Sequence, residues 1–196
     1  MKKIIMTLAC LIITGTMFAQ EHLTFKGVPI DGTLREFINA MVDAGCEYDR
    51  EIKNEACLLW GKFAGYEECL IVVTTSENNN VVSTVEVTLP DRETWTSLKQ
   101  DYDALKIMLT TKYGTPSKSE EKFNGDKFNG DVGSYNNYFV MEALKEKEYT
   151  WYTTFSTKLG DITLSIEEGS ENHTGAVIIT YTDKLNSKKP SAIDDL

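Results

Sequence analysis

Residues 57–91 read CLLWGKFAGYEECLIVVTTSENNNVVSTVEVTLPD. Three runs rich in Val, Ile, Thr and aromatic residues are separated by two turn signals, Ala64-Gly65 and Asn78-Asn79-Asn80. This punctuation predicts a three-stranded antiparallel meander. A second meander is predicted over 149–183. A constant shift of 92 positions carries Leu59 onto Trp151, Phe63 onto Phe155, Leu70 onto Ile162, Val72 onto Leu164, Val85 onto Val177 and Val87 onto Ile179. One shift holding across three strands in one period-2 phase points to a duplicated unit that buries the same face in both copies.

A helix precedes each meander. Leu34, Phe37, Ile38, Met41 and Val42 fall at the i, i+3, i+4, i+7, i+8 spacing of a single helical face. Thr33 and Glu36 have capping-box spacing, and Gly45 is a stop signal. In the second helix Trp95, Leu98, Tyr102, Leu105 and Leu109 form the stripe. Asp91 after Pro90 is the expected start, and Gly114 with Pro116 the expected stop. The fold class read from the chain is therefore α+β, with two tandem repeats of a helix plus an antiparallel meander, their sheets joined and the helices on one face. The first repeat spans 20–91 and the second 92–183. An insert at 115–148 contains the doubled KFNGD of 122–131 and a short helix over 138–147 with Phe139, Ala143 and Leu144 inward. Residues 46–55 read as a polar connection, and 184–196 as a polar C-terminal tail.

At the N-terminus, Lys2 and Lys3 precede an apolar run over 4–13, and Ala19 stands at the −1 position of a cleavage site before Gln20. This is the layout of a secretory signal peptide over 1–19, too short to span a bilayer. The expected location is secreted or periplasmic, with no transmembrane segment after removal of the signal. The whole chain carries 20 basic and 30 acidic residues; loss of Lys2 and Lys3 leaves 18 against 30, a net charge of −12. That surface disfavours nucleic acid and anionic lipid as partners.

Cys46, Cys57 and Cys69 remain in the mature chain. Their odd number permits at most one internal disulfide, and spacings of 11 and 12 match no zinc pattern. With His22 and His173 as the two histidines, both read as solvated, no metal site and no cofactor are expected. The Asn-Gly-Asp triplets of the insert suit tight turns better than a calcium loop, whose closing glutamate is missing. Asn172-His173-Thr174 is a glycosylation sequon. There is no phosphate-cradling glycine loop, no G-x-S-x-G elbow and no H-E-x-x-H helix. No catalytic residue is assigned, and a non-enzymatic binding protein is the expected class.

The binding surface follows from the strand phase. A sheet with helices on one face leaves the other open. Trp60 and Lys62 on one strand, with Tyr152 and Thr154 on its counterpart, are the candidate binding residues. The expected partner is a protein or an envelope component. A small glycan-directed hydrolase with a carboxylate-based site, or a structural envelope component, is the alternative.

Two segments, HLTFKGVPIDGTLREFI (22–38) and LKIMLTTKYGTPSKSEEKF (105–123), are similar to stretches in uncharacterised secreted proteins of Gram-negative gut bacteria. The tandem layout resembles the β-lactamase-inhibitor-protein fold. That resemblance implies two units joined into one curved sheet with the helices on its convex side. It implies inhibitor-like binding through the open sheet face.

Overall fold

The computed structural model describes residues 21–53, 55–77, 80–124, 128 and 135–187. The predicted signal peptide, most of the KFNGD repeat and residues 188–196 lie outside the described residues. The protein is a mixed α+β fold. Strands β1 (Thr24–Phe25) and β2 (Val28–Pro29) form a small hairpin, and eight further strands form one antiparallel sheet. In chain order these are β3 (Glu47–Ile52), β4 (Ala56–Phe63), β5 (Tyr66–Thr75), β6 (Val82–Thr88), β7 (Lys118–Phe123), β8 (Tyr149–Ser156), β9 (Gly160–Glu168) and β10 (Gly175–Asp183). Their order in space is β3-β4-β5-β6-β10-β9-β8-β7. Two four-stranded meanders thus meet where β6 pairs with β10, with Val87 opposite Ile179 and Val85 opposite Tyr181.

Each meander has one strand more than the sequence pattern predicts. Residues 46–55, read as a polar connection, contain β3, and the segment read as the start of the insert forms β7. Both strands are rich in charge and lie at the sheet edges, where no alternation of apolar residues is required. The excursion between β7 and β8 is accordingly 124–148.

The helices cap one face of the sheet. Helix α1 (Leu34–Asp43) opens with a complete capping box: the Thr33 hydroxyl accepts from the Glu36 N–H, and Glu36 Oε2 accepts from the Thr33 N–H at 2.9 Å. It buries Leu34, Phe37 and Met41. Val42, expected on the inner face, is 45% exposed: at 3.6 residues per turn it lies about 105° round from the centre of the buried stripe of Leu34, Phe37 and Met41. Helix α2 (Trp95–Tyr113) buries Trp95, Leu98, Tyr102, Leu105 and Leu109, the predicted stripe. Its N-cap is Thr94, whose hydroxyl accepts from the Ser97 N–H, not Asp91; the Asp91 carboxylate is committed to another loop. Gly114, at φ 87°, ends the helix. The third helix, α3 (Asn137–Lys145), packs on α2 and β9 with Val140, Met141, Ala143 and Leu144 buried. Phe139 is 62% exposed, contrary to its predicted inward position.

One apolar cluster runs between helices and sheet. Trp95 meets Trp151 and Phe123 edge-on, with centroids 4.8 and 5.0 Å apart. The approach of α2 is close: a Cβ on Gly175 would sit 2.5 Å from Leu98 Cδ2.

Strand phase differs from expectation at β5. Ile71 and Val73 are fully buried, while Leu70 and Val72 face the opposite side and are half-exposed. The run Cys69-Leu70-Ile71-Val72-Val73 is apolar at both parities, so alternation alone cannot choose. Pairing chooses: Ile71 stands between Leu59 and Val87. The constant shift of 92 therefore fails beyond the central pair. Val87 and Ile179 are 92 apart, whereas their neighbours Ile71 and Leu164 are 93 apart, and the next pair out, Leu59 and Thr153, 94.

Candidate recognition face

Leu58 and Trp60 project from β4 on the side away from the helices. Register extends this phase across the sheet. Leu58 stands opposite Val72, Val72 opposite Glu86, and Glu86 opposite Thr180, whose other neighbour is Thr163, itself opposite Thr154. The adjacent row joins Trp60 to Leu70, then Thr88, Ile178, Ser165 and Tyr152. The face is thus aliphatic and aromatic over β4 and β5, and hydroxyl-rich over β10, β9 and β8.

Trp60 is 43% exposed. Tyr152 is half-buried, with the Lys118 ammonium 5.0 Å from its ring centroid. The Thr154 and Thr163 hydroxyls lie 3.2 Å apart in a cross-strand hydrogen bond. Trp60 and Tyr152 share one row but are five strand spacings apart, about 24 Å. They mark the two ends of a broad face and do not converge on one pocket. Lys62 lies away from both. A register shift at Gly61/Phe63 interrupts the strand there, and Lys62 pairs with Glu67 at 2.8 Å beside the helix-side surface.

Glu86 sits near the middle of the face and was not singled out from the sequence. Its position between Val85 and Val87 assigned it to this side, but nothing in the pattern signalled its partial burial. That burial pushes its carboxyl above the usual range; repulsion from Glu167 adds to the rise, and a hydrogen bond with Thr180 opposes it.

Beside Tyr152 the sheet opens. β8 and β9 pair from Tyr152/Ser165 to Ser156/Asp161, and the register stops there. In the gap the Tyr149 hydroxyl donates to Glu167 Oε2 at 3.3 Å. A notch of about 280 Å³ lies between the strands, lined by Lys147, Thr150, Tyr152, Ser165 and Glu167 among others.

Two further polar clusters are engaged in the scaffold. Burial opposes ionisation of Glu121, but the Lys106 ammonium and the Tyr102 hydroxyl outweigh it and hold the carboxyl low. Its Oε1 also accepts from Ser119 and Thr153 at 3.1 Å each. His22, read as solvated, is largely buried: its Nδ1 lies 3.2 Å from the fully buried Asp183 carboxylate. Asp183 also accepts from the Leu23, Leu185 and Asn186 N–H groups, which ties the N-terminal segment to the residues after β10. His173 rests against the Tyr138 ring, with centroids 4.9 Å apart, and Asn172 of the sequon is exposed.

The three cysteines are free and buried. Burial pushes each thiol up, that of Cys57 to about 12, which disfavours the reactive thiolate. Among the described residues no group of three His, Cys, Asp or Glu side chains is placed to hold a metal ion, and no helix is long and apolar enough to cross a membrane. No family model matches the chain, and no curated protein or solved structure does so either.

Proposed function

We propose that this chain is an exported, non-enzymatic interaction protein that binds a protein or envelope component through the open face of its sheet. The observation that carries the reading is the continuity of that face across the sheet, with Trp60 exposed at one end and Tyr152 at the other. Aromatic side chains held on paired strands offer contact area at low entropic cost. The basic leader and apolar run of the first 19 residues support export.

We further propose that the body is a duplicated unit, each copy a helix followed by a four-stranded meander, of the kind found in the β-lactamase-inhibitor-protein fold. Support comes from the mirrored strand order and from the pairing of Val87 with Ile179, the two positions that the 92-residue shift makes equivalent.

The test uses the mature chain as bait in a periplasmic and outer-membrane extract, beside Trp60→Ala and Tyr152→Ala variants with unchanged circular dichroism. One stoichiometric partner, retained by the native chain and lost by both variants, is the expected result. Equal recovery by all three chains would overturn the use of this face.

A carboxylate-based glycan hydrolase is the second reading, favoured by the raised Glu86 carboxyl with Glu167 contributing to it. It requires glycan turnover that Glu86→Gln abolishes.

A further inference from the structure

On the helix side of the sheet, two tight hairpins and α2 enclose a cleft of about 310 Å³. The first hairpin turns through Lys26 and Gly27, at φ 49° and 83°, with Phe25 opposite Val28. The second turns through Ala64 and Gly65, at φ 50° and 92°, with Phe63 opposite Tyr66. Two successive positive φ values at the centre of a two-residue loop are the hairpin geometry that matches strand twist, so both walls are fixed by backbone. The hairpins lock together: Phe25 stacks on Phe63 at 5.8 Å, and Lys26 Nζ donates to the Lys62 carbonyl at 3.0 Å. Phe25 also meets Tyr181 edge-on at 5.3 Å. Leu105 and Leu109 of α2 close the floor, and Met108, 49% exposed, stands at the opening.

The charge lining this cleft runs against that of the chain. Acidic residues outnumber basic ones 30 to 20. The cleft is nevertheless lined by Lys26, Lys62 and Lys112, from three different elements, and by no carboxylate. Lys26 and Lys112 have no carboxylate at ion-pair distance among the described residues. Lys62 has Glu67, but both side chains are largely exposed, and such a pair is weak and exchangeable.

We propose that this cleft binds a single-chain amphiphile with an acidic head group, a medium-chain fatty carboxylate. The aromatic and leucine floor takes the acyl chain, and the lysines at the rim take the carboxylate. The volume lies at the low end of the range for small-ligand clefts, about 300–1,000 Å³, which suits one chain and excludes a two-chain lipid. An ammonium–carboxylate hydrogen bond at the edge of an apolar site is the strong, charge-assisted kind.

Titration of the mature chain with decanoate, decyltrimethylammonium and decanol, read by calorimetry and by the methyl signals of ε-¹³C-methionine, tests the assignment. Decanoate is expected to saturate at one per chain, to move the Met108 methyl and to leave those of the buried Met41 and Met141 in place. Decyltrimethylammonium and decanol are expected to bind at least about tenfold more weakly, the loss of one charged hydrogen bond. Lys62→Gln/Lys112→Gln, both changes at exposed side chains, should weaken decanoate by a similar factor with an unchanged melting temperature. Absence of decanoate binding, equal binding of the cationic amphiphile, or an unaffected double variant would each overturn the proposal. Trp60→Ala and Tyr152→Ala should leave decanoate affinity unchanged, which separates this site from the open face.

Discussion

Asp91 collects four donors on one oxygen: the Ser170 and Glu171 N–H groups and the Ser170 and Thr174 hydroxyls. Burial opposes its ionisation, but these bonds outweigh that cost and hold the carboxyl below its ordinary 3.8. A carboxyl lowered by folding contributes stability that is present above its unfolded value and lost as pH falls through the folded one. Asp91→Asn should therefore destabilise the protein at pH 7 by about 1–2 kcal/mol, a cost that shrinks below pH 4 in urea titrations. Glu86 has the opposite sign. Its carboxyl is raised above 4.5, so the fold is favoured most below pH 4.5 and loses part of that advantage as pH rises through the folded value. Glu86→Gln should raise the melting temperature at pH 7 by roughly 1–2 °C, a small effect because a half-exposed charge is screened, and the gain should vanish at pH 4.

Within α2, Tyr102 combines two roles. Its ring belongs to the buried stripe, and its hydroxyl lies 2.7 Å from Thr153 Oγ and donates to Glu121 at 3.0 Å, bridging the helix to β7 and β8. Tyr102→Phe keeps the ring and strands two polar partners. A loss of about 1–3 kcal/mol in chemical denaturation is expected, with unchanged helix content. The stripe itself was legible from the sequence, as was the capping box of α1, because both follow from residues close together in the chain. β3 and β7 were not legible: Glu47–Ile52 and Lys118–Phe123 are rich in charge, and a place at a sheet edge removes the need for alternating apolar residues. The phase of β5 was hidden for the opposite reason, since its apolar residues occupy both parities and only Leu59 and Val87 across the ladder select Ile71. Of the four proposed contact residues, Trp60, Tyr152 and Thr154 fall on one face, which strand parity alone could indicate. The displacement of Lys62 depends on a local register shift, and the half-burial of Glu86 on rows from four neighbouring strands, neither of which is written in a local pattern.

At the scale of the molecule, the two meanders share an uninterrupted ladder through β6 and β10 and one apolar cluster. Neither half can expose its inner strand without opening Val85 and Val87, or Ile179 and Tyr181, to water. Unfolding should be a single transition. In a Trp60→Phe variant the fluorescence comes from Trp95 and Trp151, in the second half only, and its midpoint should coincide with that of far-ultraviolet circular dichroism; two separated midpoints would show independent halves. The margins of the same ladder limit what it can become. Every residue of β3 is exposed, and its sequence EYDREI, like KSEEKF of β7, places ions along the outermost backbone. A neighbouring copy that approached either margin would have to strip water from these ions before any amide could bond. The ribbon therefore ends at eight strands, and the chain has a built-in defence against growing into fibrils.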